Sequence, residues 1–500
     1  MSSFPDIIPK VLETVKASTL LATQDVAFYA SIDKELSDRF QSSAKSLLHL
    51  ANDLLRQLDS RYQDVEIENL SGSKPSWKRI EDTLDTTFEL VDYIIDSMQK
   101  YKEVSSNLTF LELNDGPELK FHNIEKPQKF FKEPVDNSDS VPFKPKLKNK
   151  PNALVALEDS FHSKDLPLNH FSQPYAYEIM HCPYPRPIFE FRDVIPPKDW
   201  STTLATWVGE ASSLRDMTEA LKSLKEIAVD LEHHDYRSYY GLTCLMQISN
   251  RERDWIIDTI ALRDELFLLN EVFTNPHIIK VFHGASMDII WLQRDFGIYV
   301  VSLFDTYHAS KALGFPKFSL AYLLETYANF KTSKKYQLAD WRIRPLPEVL
   351  LDYARADTHF LLGIFDKLRN ILNSSGKNKL LKVLDDSRLV ACKKFEYKKH
   401  RLAPEEWSSF ENREADARII AQSNIPEHKK VAAKEILELR DVIAREKDES
   451  ARFIMPIRNF VSLLTIGLPA TKESVRFALG KSFQHFEDNT ESLLNILNST

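Results

Sequence analysis

The first hundred residues carry hydrophobic side chains at the spacing of α-helices. Apolar residues recur at steps of three and four, a spacing that places them on one face of a helix and predicts an all-helical domain over residues 1–105. A self-contained bundle and a platform that needs a helical partner both fit this pattern. The three stripes are Ile8, Val11, Leu12 and Val15; Leu47, Ala51, Leu54 and Leu58; and Leu84, Phe88, Val91, Ile95 and Met98.

A proline-rich and lysine-rich stretch follows. Residues 101–200 contain 13 of the 24 prolines, which disfavour regular helices and strands. Residues 120–150 contain eight lysines and no arginine. We predict an extended linker over residues 106–209, whose lysine-rich part is solvated, lies on another domain or contacts a phosphate backbone.

The pattern then changes to one of short β-like runs followed by a strand-to-helix alternation. Three runs in close succession predict an antiparallel meander, and a fourth leads into a helix-like segment at 285–296. This order favours a ribonuclease H-like α/β domain over residues 210–385, a mixed sheet flanked by helices, and the chain has no Gly-rich phosphate loop that would favour a dinucleotide fold. The four runs are 226–232, 242–249, 253–259 and 278–284.

The last part of the chain is again helical in pattern. The cluster KKFEYKKHR at 393–401 marks a basic connector, which we place at residues 386–427. Helical spacing resumes beyond it, and we predict a final all-helical domain over residues 428–500.

Composition excludes several classes of protein. The longest apolar runs fall far short of the ~20 residues of a membrane span, and the first residues lack the pattern of a signal peptide, so we expect a soluble protein that is not secreted. The three cysteines are 62 or more residues apart, which argues against disulfide scaffolds and zinc ribbons. A net charge of −8 excludes a uniformly basic nucleic-acid binder but not a local basic surface.

Four acidic residues stand out as candidate chemistry. In the run at 226–232, the alternation of a strand projects Asp230 and Glu232 from one face. In the predicted helix at 347–368, Asp357 interrupts an apolar stripe, with Tyr353 one turn away. Asp288 lies near the start of the helix at 285–296.

Each acid also has an ordinary structural explanation. The pair on the strand could form a solvated edge, Asp357 could be paired with a core arginine, and Asp288 could interact with a helix dipole. Together, however, the four offer only hard oxygen ligands, which favour Mg²⁺ or Mn²⁺ over zinc. Two such ions can promote the hydrolysis of a phosphodiester.

The segments around these acids resemble a known family. VDLEHHDYRSYYG, VFHGASMDIIWLQRDFG and YARADTHFLL, in this order, resemble the three motifs of ribonuclease D-type exonucleases, the DEDD class whose last motif carries a tyrosine. LFDTYHASKALG and SKKYQLADWRIRPLP are similar to the nuclear exosome-associated branch of that class, and ELRDVIAREKDESARFIMP resembles the helical (HRDC) domain shared by helicases and ribonuclease D. Members of this branch usually continue into a basic tail that helps to attach them to the exosome core, whereas this sequence ends at Thr500.

The resemblance implies an activity and a set of partners. Asp230, Glu232, Asp288 and Asp357 would bind two Mg²⁺ or Mn²⁺ ions, and Tyr353 would orient the water that hydrolyses single-stranded RNA from its 3′ end to nucleoside 5′-monophosphates. The implied partners are RNA 3′ ends, the nuclear exosome core and a small basic RNA-binding protein on residues 1–105. The implied location is the nucleus, including the nucleolus. A non-catalytic RNA-binding scaffold and a DNA 3′–5′ exonuclease are the alternatives.

Aromatic and basic residues near the motifs are candidates for contact with RNA, because single-strand channels combine aromatic faces with cations. An alternative is that the aromatic residues are part of the core, especially Trp341, and that the lysines are solvated. The histidines near the motifs fit a structural role, because an all-carboxylate site does not require them. They are His233, His234, His283 and His359. The RNA-contact candidates are His233, Tyr239, Tyr240, Lys334, Lys335, Tyr336 and Trp341.

Overall fold

The chain divides into two compact units, Met1–Asn107 and Leu108–Thr500, and all residues described below belong to the second. The stripes of residues 1–105, the candidates Lys334 and Lys335 and most of the basic connector lie outside the described residues. The computed structural model describes residues 111–112, 124–137, 141–161, 171–332, 336–337, 339–397 and 425–499.

A six-stranded mixed sheet forms the centre of this unit. In chain order the described strands are β1 (Leu111–Glu112), β2 (Thr206–Val208), β3 (Glu226–His234), β4 (Leu242–Ser249), β5 (Asp254–Ile257), β6 (Ile279–Phe282), β7 (Leu303–Asp305) and β8 (Phe330–Lys331). The sheet has the order β2-β5-β4-β3-β6-β7, and β1 pairs separately with β8. Strands β3, β4 and β5 are antiparallel, while β2, β6 and β7 join as parallel strands. The predicted α/β fold with a meander extended by β-α units is confirmed. Strands β2 and β7, of three residues each, are too short to show a period in the sequence.

Helices cover both faces of the sheet and form the C-terminal region. Those described are α1 (Leu157–Ser160), α2 (Ala176–His181), α3 (Ala211–Lys222), α4 (Asn270–Phe273), α5 (Ser286–Phe296), α6 (Thr306–Leu313), α7 (Leu320–Leu323), α8 (Glu348–His359), α9 (Leu361–Ser374), α10 (Lys377–Ala391), α11 (Lys430–Lys447), α12 (Ala451–Ile454), α13 (Ile457–Leu464), α14 (Lys472–Leu479) and α15 (Thr490–Asn498). None of these helices is long and apolar enough to cross a membrane.

The single helix predicted over 347–368 is wrong, because the structure breaks it at Phe360 into α8 and α9. The ring of Phe360 packs against Trp200 and Phe330 at the break. Helix α8 crosses β3, β4 and β5, whereas α9 packs against β3 and β6. The break therefore lets one apolar stripe cover two different parts of the sheet.

The two faces of β3 belong to different parts of the core. Ile227, Val229 and Leu231 join the hydrophobic cluster that contains α5, whereas Ala228 joins the cluster that contains α9. This is the alternation predicted for the strand, and it directs the even-numbered side chains, including Asp230, towards α8 and α9.

The described parts of the proline-rich stretch pack on the sheet and its helices. The Lys150 ammonium donates to the buried Glu178 carboxylate at 2.7 Å, and the backbone N–H groups of Leu154 and Val155 donate to the same oxygen. Tyr184 is also buried, and its hydroxyl donates to the carbonyl of Leu303 in β7. The stretch predicted as an extended linker thus contains β1, β2, α1 and α2, and buried polar contacts hold its described parts to the sheet.

The C-terminal helices enclose a hydrophobic core of their own. They also contact the turn that follows β3. The Asp448 carboxylate accepts from the Ser238 hydroxyl and the Tyr239 N–H, and the Arg237 guanidinium makes two bonds to Glu449. The all-helical character of this region is confirmed, whereas its likeness to the helicase domain stays a prediction.

Gly241 allows the turn after β3 to approach His233. It has a φ of +75°, and a Cβ there would lie 2.1 Å from Cε1 of His233, whose ring is held by a stacking contact with Trp291 at 4.1 Å. Gly314 has a similar φ of +73° with no atom within 4 Å of such a Cβ.

We expect Gly314→Ala to lower the free energy of unfolding by about 1–2 kcal/mol, since a left-handed residue with a Cβ is strained. Gly241→Ala should lower it clearly further, because the steric clash adds to the same strain. Urea titrations followed by circular dichroism measure both values. Equal losses for the two variants would show that the His233 ring moves aside freely.

Candidate active site

Strand β3 presents Asp230 and Glu232 on one face beneath α8 and α9. Asp230 is partly exposed and Glu232 is 9% exposed. The pairing of β3 with β4 shifts by one residue directly after Glu232, where Cys244 is the extra residue on β4. Because the extra residue is on β4, the bulge disturbs the alternation of β4 and leaves Asp230 and Glu232 on one face of β3.

Helix α8 brings Asp357 to the acids of β3. The carboxylate oxygens of Asp230, Glu232 and Asp357 lie within 4.8 Å of one another. Tyr353 lies one turn before Asp357, and its pKa is raised by burial and by the nearby charges of Asp357, Glu232 and Asp230. The structure thus gathers three of the four predicted acids and the predicted tyrosine at one place.

Asp288, the fourth predicted acid, is not a member of the group of three but borders it from the first turn of α5. Asp288 is 7% exposed, and burial together with the charges of Asp230 and Asp305 raises its pKa well above the usual value. Asp305 is buried at the end of β7, and its carboxylate accepts from the N–H groups of Gly284 and Ala285 at 2.8 and 2.9 Å. Asp305 therefore fixes the turn that starts α5, a role that the sequence pattern did not indicate.

The acids are kept together against their mutual repulsion. Burial raises the pKa of Asp230 to about 7. Burial and the charges of Asp230, Asp357 and Asp288 raise that of Glu232, and burial and Asp230 raise that of Asp357. Among the described residues, no basic side chain lowers the pKa of any of these acids. Such a cluster is stabilised either by protons or by bound cations.

The residues present fit a divalent cation. Two oxygens that bind the same Mg²⁺ at about 2.0–2.1 Å are at most about 4.2 Å apart, and the oxygens around Ca²⁺ or Mn²⁺ are slightly further apart. The oxygens of the cluster lie within 4.8 Å of one another, so a small movement would allow them to bind one ion. All candidate ligands are carboxylates, which hard divalent cations prefer. The spacing and the chemistry of the cluster are therefore those that a divalent cation requires.

Buried polar contacts fix the position of α8 on the sheet. Asp254, the first residue of β5, accepts from Arg355 Nε at 2.8 Å and lies 2.7 Å from Nδ1 of His359. Burial alone would raise the pKa of Asp254, but the hydrogen bonds from His359 and Arg355 outweigh it and hold the pKa below its usual value. Because Arg355 and His359 flank Asp357, this network sets the register of the helix that carries Asp357 and Tyr353. The sequence suggested a structural role for His359 but not these partners.

The aromatic candidates for RNA contact lie in supporting positions. Tyr336 and Trp341 are 3% and 1% exposed and pack against the ring of Tyr353 at 6.1 and 5.9 Å. A base could not stack on either ring without displacing core side chains, so the prediction that they contact RNA is not carried forward. The alternative of a core role fits both.

The other described candidates surround the turn after β3. His233 stacks on Trp291, and burial lowers its pKa to about 3. The Tyr239 hydroxyl donates to Asp441 in α11, and the ring of Tyr240 packs against Phe395. The contact of Tyr239 joins the turn to the C-terminal region, and a role of the three residues in RNA binding stays a prediction.

A family model described as a 3′–5′ exonuclease matches residues 205–373. This range contains β2 to β7, α8, the four acids and Tyr353. A second model, the NUC016 domain, matches residues 12–100. The sheet, the clustered acids and the adjoining tyrosine define a 3′–5′ exonuclease of the ribonuclease D type.

Similarity to known proteins identifies the family of exonucleases to which the chain belongs. The exosome complex exonuclease RRP6 of Saccharomyces cerevisiae is 47% identical over 507 residues, which cover 99% of this chain and 69% of that protein. The chain belongs to the RRP6 family, in which the similar human protein is named exosome complex component 10. The resemblance inferred from the motifs, to the exosome-associated branch of ribonuclease D-type exonucleases, is confirmed at the level of the family.

The matched share of each protein's length differs among these relatives. The human protein is 38% identical over 365 residues, which cover 67% of this chain but 40% of that protein. The crystal structure of the catalytic core of RRP6 from Trypanosoma brucei superposes with a TM-score of 0.65 at 35% identity, covering 75% of this chain and 98% of that one. The chain therefore spans the catalytic core and only part of the length of its longer relatives.

The clustered acids predict a pH-dependent stability of the metal-free protein. Their pKa values in the folded state exceed those of an unfolded chain, so the folded protein retains protons that the unfolded chain releases. By linkage, the cluster lowers stability as the pH rises from about 4, the usual carboxyl value, through about 7, the value for Asp230. In EDTA at pH 8, Asp288→Asn should raise the melting temperature by about 2–4 °C for each kcal/mol of repulsion removed.

At pH 4 the same substitution should change the melting temperature little, because the acids are then protonated. Asp216→Asn, at an exposed position of α3, is the control and should have no effect at either pH. Calorimetry at both pH values measures the difference. An unchanged or lower melting temperature for Asp288→Asn at pH 8 would argue against repulsion in the cluster.

Proposed function

We propose that the chain is a metal-dependent exoribonuclease that removes nucleoside 5′-monophosphates from the 3′ end of single-stranded RNA. The observation that carries this proposal is the convergence of Asp230, Glu232 and Asp357 within 4.8 Å beside Tyr353. The names of the relatives, as exosome exonucleases or exosome components, favour RNA over DNA as the substrate.

In this proposal, Asp230, Glu232, Asp288 and Asp357 hold two Mg²⁺ or Mn²⁺ ions. When bound, such ions stabilise negative charge on the attacking and leaving oxygens of the phosphodiester. Tyr353 keeps its proton at any working pH, because burial and the neighbouring carboxylates raise the pKa of its hydroxyl. Its hydroxyl can therefore orient the attacking water by hydrogen bonding, while Tyr336 and Trp341 hold its ring in place.

We further propose that the chain acts with the nuclear RNA exosome core, in the nucleus and the nucleolus. Residues 1–105 would bind a small, basic RNA-binding protein, and the match of residues 12–100 to a recognised domain supports a separate role for this region. The predicted bounds 210–385 for the exonuclease domain are too narrow, because β2 of the predicted linker 106–209 pairs with β5 in the central sheet and α10 continues into the predicted connector 386–427. With those two elements added, 210–385 would be the exonuclease domain, and 428–500 would be a domain of the helicase and ribonuclease D type.

Purified protein with 3′-extended, 5′-labelled single-stranded RNA or DNA tests the proposed activity. We expect a ladder of shortened RNA in Mg²⁺ and no cleavage in EDTA. Asp288→Asn should abolish cleavage while RNA binding largely survives, because the substitution removes one charge of the metal site and leaves the surrounding surface intact. Shortening of DNA alone would favour a DNA exonuclease, and binding without shortening in Mg²⁺ would favour a scaffold.

Tyr353→Phe tests the role of the hydroxyl. The variant should lower kcat by about 10²-fold or more, the range for a single positioned proton donor or acceptor, with KM for RNA nearly unchanged, because the ring still packs. Single-turnover kinetics with labelled RNA measure the change. A rise in KM with normal kcat would instead make Tyr353 a stacking residue.

The acidic side chains beside the third stripe generate a prediction about the partner. They favour a basic partner through complementary charge, so replacing them with Asn or Gln should weaken binding of a basic helical protein and make that binding more sensitive to salt. The acids are Glu81, Asp82, Asp85, Glu89, Asp92 and Asp96.

Deletion of residues 1–105 should leave cleavage of a short RNA nearly unchanged, since every proposed metal ligand lies beyond residue 229. Loss of that basal activity would contradict the separation of partner binding from cleavage.

A further inference from the structure

Gln247 is a buried polar residue in the middle of β4 that has no structural explanation in its surroundings. Its side chain is 0% exposed. Neither Nε2 nor Oε1 has a hydrogen-bond partner among the described residues. Buried amides are nearly always paired, because an unpaired donor or acceptor loses its bonds to water without compensation. Such an amide points to a partner other than the side chains around it, which is a water molecule or a group bound at the neighbouring site.

The strand register places Gln247 at the acid cluster. Gln247 lies directly opposite Asp230 in the antiparallel pairing of β3 with β4. Directly opposite residues share a face, with Cβ atoms about 4.5–5.5 Å apart. On the other side, the partner of Gln247 in β5 is Ile256, whose side chain offers no polar atom. The nearest acceptor by register is therefore the Asp230 carboxylate.

The neighbours of Gln247 along β4 face α8 on the same side. Two residues before it, Leu245 joins the hydrophobic cluster against which Tyr353 packs. Two residues after it, the Ser249 hydroxyl donates to Thr358 Oγ1 at 2.7 Å, and Thr358 adjoins Asp357. Gln247 thus lies beneath the part of α8 that carries Tyr353 and Asp357, enclosed between the strand and the site.

We propose that Gln247 is a positioning residue, whose Nε2 donates to the Asp230 carboxylate when cations are bound and keeps that ligand oriented. The inference rests on the proposed metal-dependent function. An amide N–H stabilises the ionised carboxylate that a cation requires, and it fixes which oxygen remains free for the cation. The amide oxygen remains as an acceptor for a water molecule in the site. Without cations, we expect the amide to lack this partner and therefore to destabilise the fold.

The proposal predicts opposite effects in the two states of the protein. Gln247→Met and Gln247→Leu preserve approximate volume and remove the amide. In EDTA both variants should melt at a higher temperature than the wild type, because an unpaired buried group is lost. In contrast, Mn²⁺ should bind about 10-fold or more weakly, as is usual when a residue that orients a metal ligand is replaced.

The experiment combines calorimetric melting in EDTA, Mn²⁺ titration followed by electron paramagnetic resonance, and cleavage kinetics. We expect kcat to fall with KM for RNA unchanged. Leu245→Met, a volume-conserving change on the same face of β4, is the matched control and should bind Mn²⁺ within about twofold of the wild type. Its normal affinity would show that core substitutions under α8 do not by themselves disturb the site.

Several results would overturn the proposal. Normal Mn²⁺ affinity in both Gln247 variants would remove the amide from the metal site. A lower melting temperature or loss of folding in EDTA would show that the amide is already paired in the metal-free protein. Failure of the proposed function is distinguishable, because the wild type itself would then neither bind Mn²⁺ nor cleave RNA.

Discussion

Mutual repulsion of buried carboxylates is the constraint on which the rest of the catalytic unit depends. Asp230, Glu232 and Asp357 are held within 4.8 Å of one another, and Asp288 adds to the same negative charge. Like charges in a site of low polarity destabilise the fold unless protons or cations neutralise them. The protein therefore needs rigid supports for each element that carries an acid.

Those supports are polar contacts of neighbouring residues, which hold the strands, turns and helices that carry the acids. Asp305 fixes the turn before α5 and so the position of Asp288. Asp254 holds α8 through Arg355 and His359. Both supporting carboxylates accept two or more hydrogen bonds from well-placed donors, and those from His359 and Arg355 hold the pKa of Asp254 below its usual value. The C-terminal helices add a third support, because Asp448 and Glu449 bind the turn that follows β3.

The clustered acids were predictable from the sequence to a larger extent than their supports were. Period-two alternation put Asp230 and Glu232 on one face of β3, and an apolar stripe interrupted by Asp357 marked α8, because both signals are local. The register of Gln247 against Asp230 and the contacts of Asp254 depend on which distant segments pair, and a single sequence does not reveal this. The break at Phe360 was missed for a related reason: the stripe continues across it, while the packing partners of the helix change.

The histidines around the cluster show that neighbouring side chains do not balance its charge, so that only protons or bound cations can do so. Burial lowers the pKa of His233 to about 3 and those of His234 and His283 to about 4, so all three are neutral near pH 7. Among the described residues, no basic side chain lowers the pKa of any clustered acid. A fixed arginine there would stabilise the empty site but would compete with a divalent cation for the carboxylates. Keeping the neighbouring rings neutral and the arginines engaged with Asp254 and Asp295 leaves the full negative charge available for cations.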